Sequence, residues 1–186
     1  MRRLPKTLRD NAFAVRVLGE LQNGIFTVFD VTGQNDTLPL CGVGIDIGTT
    51  TVSAVLFDMK DGRLLSKASG GNGQIRYGAD VISRIQRALA GEMEAQTRLI
   101  REQMGSLLGD ACRQAGVLPE TVGVISVVGN PCMQQLFLGI MPENLAKIPF
   151  APVLTKAEVG EAGDIFPCCP HAALVTVPDI SGYVGA

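Results

Sequence analysis

A glycine turn rich in hydroxyl groups is the stretch of this chain best suited to chemistry. Residues 48–51, Gly-Thr-Thr-Thr, follow one apolar segment and precede another. Gly48 has no Cβ, so the backbone there can approach a ligand closely. Successive N–H groups in a tight turn form an anion-binding concavity, and threonine hydroxyls add donors that phosphate oxygens accept. Candidate phosphate ligands are therefore Gly48, Thr49, Thr50 and Thr51.

Asp46 stands two residues before this turn and would repel a phosphate unless a divalent cation lay between them. Mg²⁺ usually keeps several waters and binds through one or two carboxylates plus substrate phosphates. Asp46 is thus a candidate catalytic residue that holds Mg²⁺ through water. The residues alone leave a second interpretation open, a plain hairpin turn in which Asp46 hydrogen-bonds local backbone.

Two well-known nucleotide motifs do not fit this turn. No Gly-Lys-Ser/Thr follows it, which argues against a Walker A loop. No Gly-x-Gly-x-x-Gly lies between a predicted strand and a predicted helix, which argues against a dinucleotide site.

Gly129 and Asn130 form a second candidate, because they follow a run over residues 122–128 that is apolar apart from Ser126. Such a run is typical of a strand buried on both faces, and open α/β sheets bind ligands at the carboxyl ends of their strands. Asn130 is accordingly a candidate catalytic residue and Gly129 a candidate ligand contact. The structural alternative is a helix start, since Asn at the N-cap followed by Pro131 at the first helical position is favoured.

Two further groups of residues have a functional and a structural interpretation. Tyr77, Asp80, Ser83 and Arg84 lie on or just before a predicted helix and could face a partner or a nucleotide. We interpret them as a solvated helix face, which is the commoner arrangement. Cys168, Cys169 and the single histidine, His171, would need further ligands to bind a metal. We interpret that segment as a loop with reduced thiols.

The composition excludes several classes of protein. A hydrophobic content of 46% with 18% charged residues indicates a soluble globular domain. The net charge of −2 and the few aromatic residues give no basis for nucleic-acid binding. No apolar run reaches the roughly 18 residues that indicate a membrane span. The five cysteines lack both Cys-x-x-Cys and a ferredoxin spacing, and their scattered use fits a reducing cytoplasm.

The predicted elements place the candidate residues at the ends of strands. Residues 1–40 are predicted to be an appendage, with an exposed basic linker over 1–10 and a hairpin whose turn is Asn23-Gly24. Residues 41–186 are predicted to be the main domain. It opens with three antiparallel strands, the last two joined at Asp61-Gly62, and continues into a flexible glycine loop at 70–73.

The rest of the main domain alternates helices and strands. Helical spacing predicts helices over 78–89, around 100–115 and after Asn130. A strand buried on both faces is predicted at 122–128, and the last strand is predicted at 172–177. Residues 141–170 are predicted to be irregular, and 179–182 to connect the last strand to a further helix. The order three strands, helix, strand, helix, strand resembles an α/β ribonuclease-H-like mixed sheet of the kind found in one lobe of an actin-like ATPase.

Four motifs in order resemble one protein family. The Asp-Ile-Gly-Thr-Thr-Thr segment at 46–51 resembles the first phosphate motif of the ATPase superfamily that holds actin, Hsp70 and the sugar kinases. With Tyr-Gly-Ala-Asp-Val-Ile-Ser-Arg-Ile at 77–85, Val-Val-Gly-Asn at 127–130 and Pro-Asp-Ile-Ser-Gly-Tyr-Val-Gly at 178–185, it resembles the ATP-dependent reductive activators of corrinoid proteins. The chain departs from that family after Asn130. Pro131-Cys132 and Gln134-Gln135 replace two threonines and a histidine pair there.

The resemblance implies a function and several absent parts. It implies Mg-ATP contacts, with Asp46 on Mg²⁺ and residues 48–51 on the β- and γ-phosphates, and with Asn130 close to the γ-phosphate. It also implies that ATP drives the return of a corrinoid protein from Co(II) to Co(I), with electrons from a [2Fe–2S] cluster. The second ATPase lobe and the ferredoxin domain that carries the cluster are expected outside this chain. The alternatives are a non-catalytic protein-docking module and a small-molecule kinase of the same superfamily.

Overall fold

The computed structural model describes residues 4–22, 24–35, 39–168, 171–179 and 181–182. In this part of the chain the strands are β1 (Val15–Gln22), β2 (Ile25–Gly33), β3 (Cys41–Ile47), β4 (Thr51–Asp58), β5 (Leu64–Gly71), β6 (Val122–Gly129), β7 (Glu158–Glu161) and β8 (Ala173–Thr176). The α-helices are α1 (Leu4–Asp10), α2 (Val81–Arg87), α3 (Met93–Ala115) and α4 (Pro131–Leu138). Shorter 3₁₀ segments are Gly73–Tyr77, Pro119–Thr121 and Pro142–Ala146, and a π-helical turn spans Ala88–Glu92.

A six-stranded mixed sheet in the order β5-β4-β3-β6-β8-β7 forms the centre of the main domain. Strands β3, β4 and β5 are antiparallel, whereas β6 runs parallel to β3 and β8 runs parallel to β6. This confirms the predicted fold class, in which three antiparallel strands precede helix, strand, helix and strand.

Side-chain alternation decides which face of the sheet is covered by helices. On β3, Val43, Ile45 and Ile47 are buried, whereas Gly44 is partly exposed and Asp46 is exposed. The buried side chains belong to one core with residues of α3 such as Ile100, and helices α3 and α4 pack on β4, β5 and β6. Because neighbouring residues of a strand point to opposite faces, Asp46 lies on the face away from these helices.

The amino-terminal residues form a separate two-stranded sheet. Strands β1 and β2 pair antiparallel, which confirms the predicted hairpin, and Asn23 of the predicted turn lies outside the described residues. The prediction of a linker over residues 1–10 is wrong for Leu4–Asp10, which is helix α1 and packs on β2. The division into an appendage and a lobe at residue 40 stays a prediction.

Two predicted irregular segments contain regular structure. Gly70 and Gly71, predicted to lie in a flexible loop, end β5 by pairing with Val52 and Thr51. The Gln103 side chain holds the following residues, because it accepts from the Gly73 amide at 2.9 Å and donates to the Gly71 carbonyl at 2.7 Å. Residues 158–161, predicted irregular, form the edge strand β7 through backbone pairing with β8. All four of its residues are exposed, so no apolar alternation indicated it.

Candidate functional site

Residues 48–51 connect β3 to β4 as a tight hairpin turn. The Gly48 amide donates to the Thr51 carbonyl at 2.9 Å and closes the turn. A Cβ on Gly48 would lie 2.7 Å from the same carbonyl oxygen, closer than real Cβ contacts allow. The hairpin interpretation is therefore correct for the backbone. It is compatible with the phosphate interpretation, because a tight turn is also the geometry that groups amides together.

All four carbonyls of the turn accept hydrogen bonds from the protein. The Gly48 carbonyl accepts from Asn72 Nδ2 at 2.8 Å, and the Thr50 carbonyl accepts from the Asn72 amide at 2.8 Å. The Thr49 carbonyl accepts from Arg84 Nη2 at 2.6 Å, and the Gly48 amide fills the Thr51 carbonyl. The acceptor groups of the turn are thus engaged within the protein.

The donors of the turn are left for a ligand. Within the described part of the chain, the amides of Thr49 and Thr50 have no hydrogen-bond acceptor. Thr50 and Thr51 are exposed, and Thr49 is partly exposed. A turn whose carbonyls are engaged and whose amides and hydroxyls remain open presents partial positive charge, which suits an anion.

Asp46 lies on the exposed face of β3, in register with Ser53 of β4 and Val128 of β6. It is not enclosed in the core, so solvent and a hydrated ion can reach it. No group of three or more His, Cys, Asp or Glu side chains comes together among the described residues. A Mg²⁺ ion at Asp46 would thus take its remaining ligands from water and phosphate oxygens, which fits the usual preference of this ion.

Asn130 joins the second candidate segment to the turn. Its side-chain oxygen accepts from the Met133 amide at 3.0 Å and caps α4, with Pro131 at the first helical position. Its side-chain nitrogen donates to Thr49 Oγ1 at 3.1 Å. Asn130 is 7% exposed. The predicted helix start is confirmed, and a direct ligand contact by Asn130 stays a prediction.

Gly129 allows close packing of β3, β6 and α4 at this point. A Cβ there would lie 2.9 Å from the Ile47 carbonyl oxygen and 3.3 Å from the Ile47 Cβ. Gly129 therefore has a packing reason for its lack of a side chain, and its predicted ligand contact stays a prediction.

Arg84 contacts the turn, which the sequence interpretation missed. The prediction of a solvated helix face is wrong for this residue, because its side chain is fully buried. Its guanidinium donates to the Gly78 carbonyl at 3.0 Å and the Thr49 carbonyl at 2.6 Å, and it lies 3.0 Å from the Met133 sulfur. Burial lowers the pKa of Arg84, yet arginine stays charged in proteins. The sequence did contain an indication that Arg84 is buried, because it shares the spacing of one helical face with the apolar residues Val81, Ile85 and Ala88.

The end of β8 reaches the same edge of the sheet. Gln134 Nε2 donates to Asp179 Oδ1 at 2.9 Å and lies 3.3 Å from the Gly129 carbonyl oxygen. Burial raises the pKa of Asp179, and the hydrogen bond from Gln134 acts in the opposite direction. Among the described residues no donor reaches Asp179 Oδ2, which is buried. Ile180 and residues 183–186 lie outside the described residues, so the predicted connection beyond this point stays a prediction.

The described cysteines are buried thiols in different elements. Burial raises the pKa of Cys112 to about 11 and of Cys132 to about 12. Cys41 and Cys168 are also buried, and Cys169 lies outside the described residues. His171 Nδ1 lies 3.6 Å from a Glu161 oxygen.

None of the described helices combines the length and the apolarity that crossing a membrane requires.

The chain is similar to proteins of one known family. Residues 41–186 match the family described as the RACo middle region. The corrinoid activation enzyme RamQ of Eubacterium limosum is 32% identical over 151 residues, which cover 80% of this chain and 26% of RamQ. A solved structure of a reductive activator for a corrinoid iron-sulfur protein superposes with a TM-score of 0.87 at 28% identity. That superposition covers 99% of this chain and 30% of the activator. The chain therefore spans less than a third of either relative.

Proposed function

The chain belongs to the RACo middle-region family, and from this membership we propose that it supplies a nucleotide-phosphate-binding lobe to a reductive activator of corrinoid proteins. In this proposal Mg-ATP binds at the turn of residues 48–51. ATP binding and hydrolysis then drive the return of a corrinoid protein from Co(II) to Co(I). The named activities of RamQ and of the solved activator support the corrinoid as substrate.

One observation carries the nucleotide part of the proposal. In the turn of residues 48–51 every carbonyl is engaged, and the amides of Thr49 and Thr50 have no acceptor among the described residues. An exposed carboxylate, Asp46, stands two residues away on the adjoining strand. Open amides with a single nearby carboxylate are the combination that a magnesium–phosphate complex needs, because the amides bind the phosphate oxygens and the carboxylate binds the hydrated ion.

The residues of the turn then have separate tasks. The amides of Thr49 and Thr50 and the hydroxyls of Thr50 and Thr51 donate to phosphate oxygens. Asp46 holds Mg²⁺ through water and so offsets the repulsion between its own charge and the phosphates. Asn130, at the start of α4, donates to the Thr49 hydroxyl, and this bond fixes the Thr49 rotamer for ligand binding.

The chemical step needs groups beyond this chain. Reduction of Co(II) to Co(I) takes one electron, which we expect from a [2Fe–2S] cluster in a ferredoxin domain of the whole protein. Nucleotide binding assists only if it stabilises one conformation of the protein over another, since a ligand shifts an equilibrium by its differential affinity. We therefore propose that a second lobe closes on the same nucleotide, and that this lobe alone binds ATP weakly.

Calorimetry of Mg-ATP binding to the full-length protein tests this function. Asp46→Asn removes the charge while keeping the shape, and we expect affinity to fall by roughly tenfold or more. Glu94→Gln, an exposed carboxylate on α3, serves as the matched control and is expected to bind as the wild type does. ATP-dependent disappearance of the Co(II) spectrum of a corrinoid protein should fail in Asp46→Asn as well.

Three outcomes would point elsewhere. Absence of Mg-ATP binding by the wild type would refute the nucleotide proposal. Corrinoid-protein binding that is independent of nucleotide and of Asp46 would favour a docking module. ATP-dependent phosphorylation of a small molecule without corrinoid reduction would favour a kinase.

A further inference from the structure

Arg84 is a buried charge that hydrogen-bonds to no carboxylate among the described residues, although the negative charge of Asp80, one helical turn earlier, favours its charged form. Its guanidinium contacts two carbonyl oxygens and one thioether sulfur. Within the described residues, no carboxylate forms an ion pair with it. Taking a charge out of water is unfavourable, and apolar residues of similar volume often stabilise a core as well or better. The neighbours Val81 and Ile85 on the same helix are such apolar residues, so packing alone does not explain a guanidinium here.

The hydrogen bond to the Thr49 carbonyl has a direct geometric consequence. In a trans peptide the C=O of one residue and the N–H of the next lie in one plane and point in opposite directions. Arg84 draws the Thr49 carbonyl toward the protein interior, and it thereby directs the Thr50 N–H away from the interior. Asn72 acts in the same way one residue earlier, because it draws in the Gly48 carbonyl and so directs the Thr49 N–H.

We propose that Arg84 is a positioning residue for the phosphate-binding turn: it fixes the peptide between Thr49 and Thr50 so that the Thr50 amide meets a phosphate oxygen. The inference rests on the proposed function, because it concerns the same turn and the same ligand. Arg84 itself is fully buried and does not touch the nucleotide. It links the turn to helix α2 and, through Met133, to helix α4.

The test compares arginine variants of the full-length protein by calorimetry with Mg-ATP and Mg-ADP. Arg84→Met keeps a long apolar side chain but removes every donor, and we expect both nucleotides to bind roughly tenfold more weakly or worse. Arg84→Lys keeps the charge but has a single donor nitrogen in place of the three guanidinium nitrogens, so we expect it to recover part of the affinity. Thermal unfolding of each variant is measured in parallel, and binding is measured well below the unfolding midpoint.

Arg101→Met is the control for loss of an arginine that hydrogen-bonds a carbonyl outside the turn, although Arg101 is only partly buried. Arg101 Nε donates to the Phe137 carbonyl at 2.9 Å, and its guanidinium lies 5.6 Å from the Phe137 ring centroid. The variant loses a hydrogen bond to a carbonyl outside the turn. We expect a lower unfolding midpoint with nucleotide affinity equal to that of the wild type.

The outcomes separate this inference from the proposed function. If the wild type binds Mg-ATP and Asp46→Asn weakens binding, but folded Arg84→Met binds as the wild type does, only the inference is overturned. If Arg84→Met does not fold, Arg84→Gln decides, because its short neutral amide cannot replace the bond to the Thr49 carbonyl, and wild-type affinity in that folded variant overturns the inference. If the wild type binds no nucleotide, the proposed function has already failed.

Discussion

The side-chain nitrogen of Asn130 lies 3.1 Å from Thr49 Oγ1, while the side-chain oxygen of the same residue accepts from the Met133 amide at 3.0 Å. One amide group therefore joins the start of helix α4 to the turn between β3 and β4. Both candidate segments found in the sequence meet at this contact. The helix-start interpretation describes the side-chain oxygen of Asn130, and the site interpretation concerns its side-chain nitrogen.

Substitution of Asn130 should separate its contact with Thr49 from its contact with the Met133 amide. Asn130→Ala loses the helix cap and the bond to Thr49, and we expect the free energy of unfolding to fall by about 1 kcal/mol or more. Asn130→Ser keeps a capping oxygen, so its stability should stay near that of the wild type, but serine is too short to hold the Thr49 hydroxyl. Denaturant unfolding and calorimetry with Mg-ATP measure the two effects, and nucleotide affinity should fall in both variants. Wild-type affinity in Asn130→Ser would show that the Thr49 contact is irrelevant to binding.

Gly48, in the turn, and Gly44, on the preceding strand β3, form a matched pair of sites for alanine substitution. Gly48→Ala places a Cβ 2.7 Å from the Thr51 carbonyl oxygen, so the turn must open and the closing hydrogen bond must weaken. We expect loss of Mg-ATP binding by tenfold or more, roughly the effect of one hydrogen bond to a charged group. A Cβ on Gly44 meets no atom within 4 Å, and Gly44→Ala should bind nucleotide as the wild type does. Equal affinity in both variants would contradict a role for the turn geometry.

Asp179 should make stability depend on pH. Burial raises the pKa of this carboxyl in the folded protein. The folded state therefore keeps the proton to higher pH than the unfolded state, in which the pKa of an Asp carboxyl is about 4. Its contribution is therefore most favourable below that value, and it is lost as pH rises through the folded pKa. Asp179→Asn removes this loss and still offers Gln134 an acceptor. Unfolding curves across acidic pH should show the variant gaining stability over the wild type as pH rises. A constant difference between the two proteins would exclude this contribution.

Local patterns in the sequence predicted the sheet and the turn. Alternation along residues 41–58 and the glycines at 48 and 62 concern neighbours in the chain, so they indicate strands and hairpins without knowledge of distant contacts. The same holds for Asn130-Pro131, whose capping geometry is complete within four residues. The edge strand β7 escaped prediction because its exposed side chains carry no alternation. It exists by pairing with β8, a strand about fifteen residues later in the chain.

The sequence by itself determined that a hydroxyl-rich glycine turn with a nearby carboxylate follows the first strand of a mixed α/β sheet. These features depend only on residue type and short spacing along the chain. The tertiary structure alone decided how that turn is held. The Thr49 carbonyl and its donor, Arg84, are 35 residues apart, and Thr49 Oγ1 and Asn130 are 81 apart. From the sequence we predicted that the Arg84 side chain is exposed to solvent, because an isolated charge is costly to bury. Only the fold brings carbonyl oxygens to that buried position, and their hydrogen bonds offset the cost.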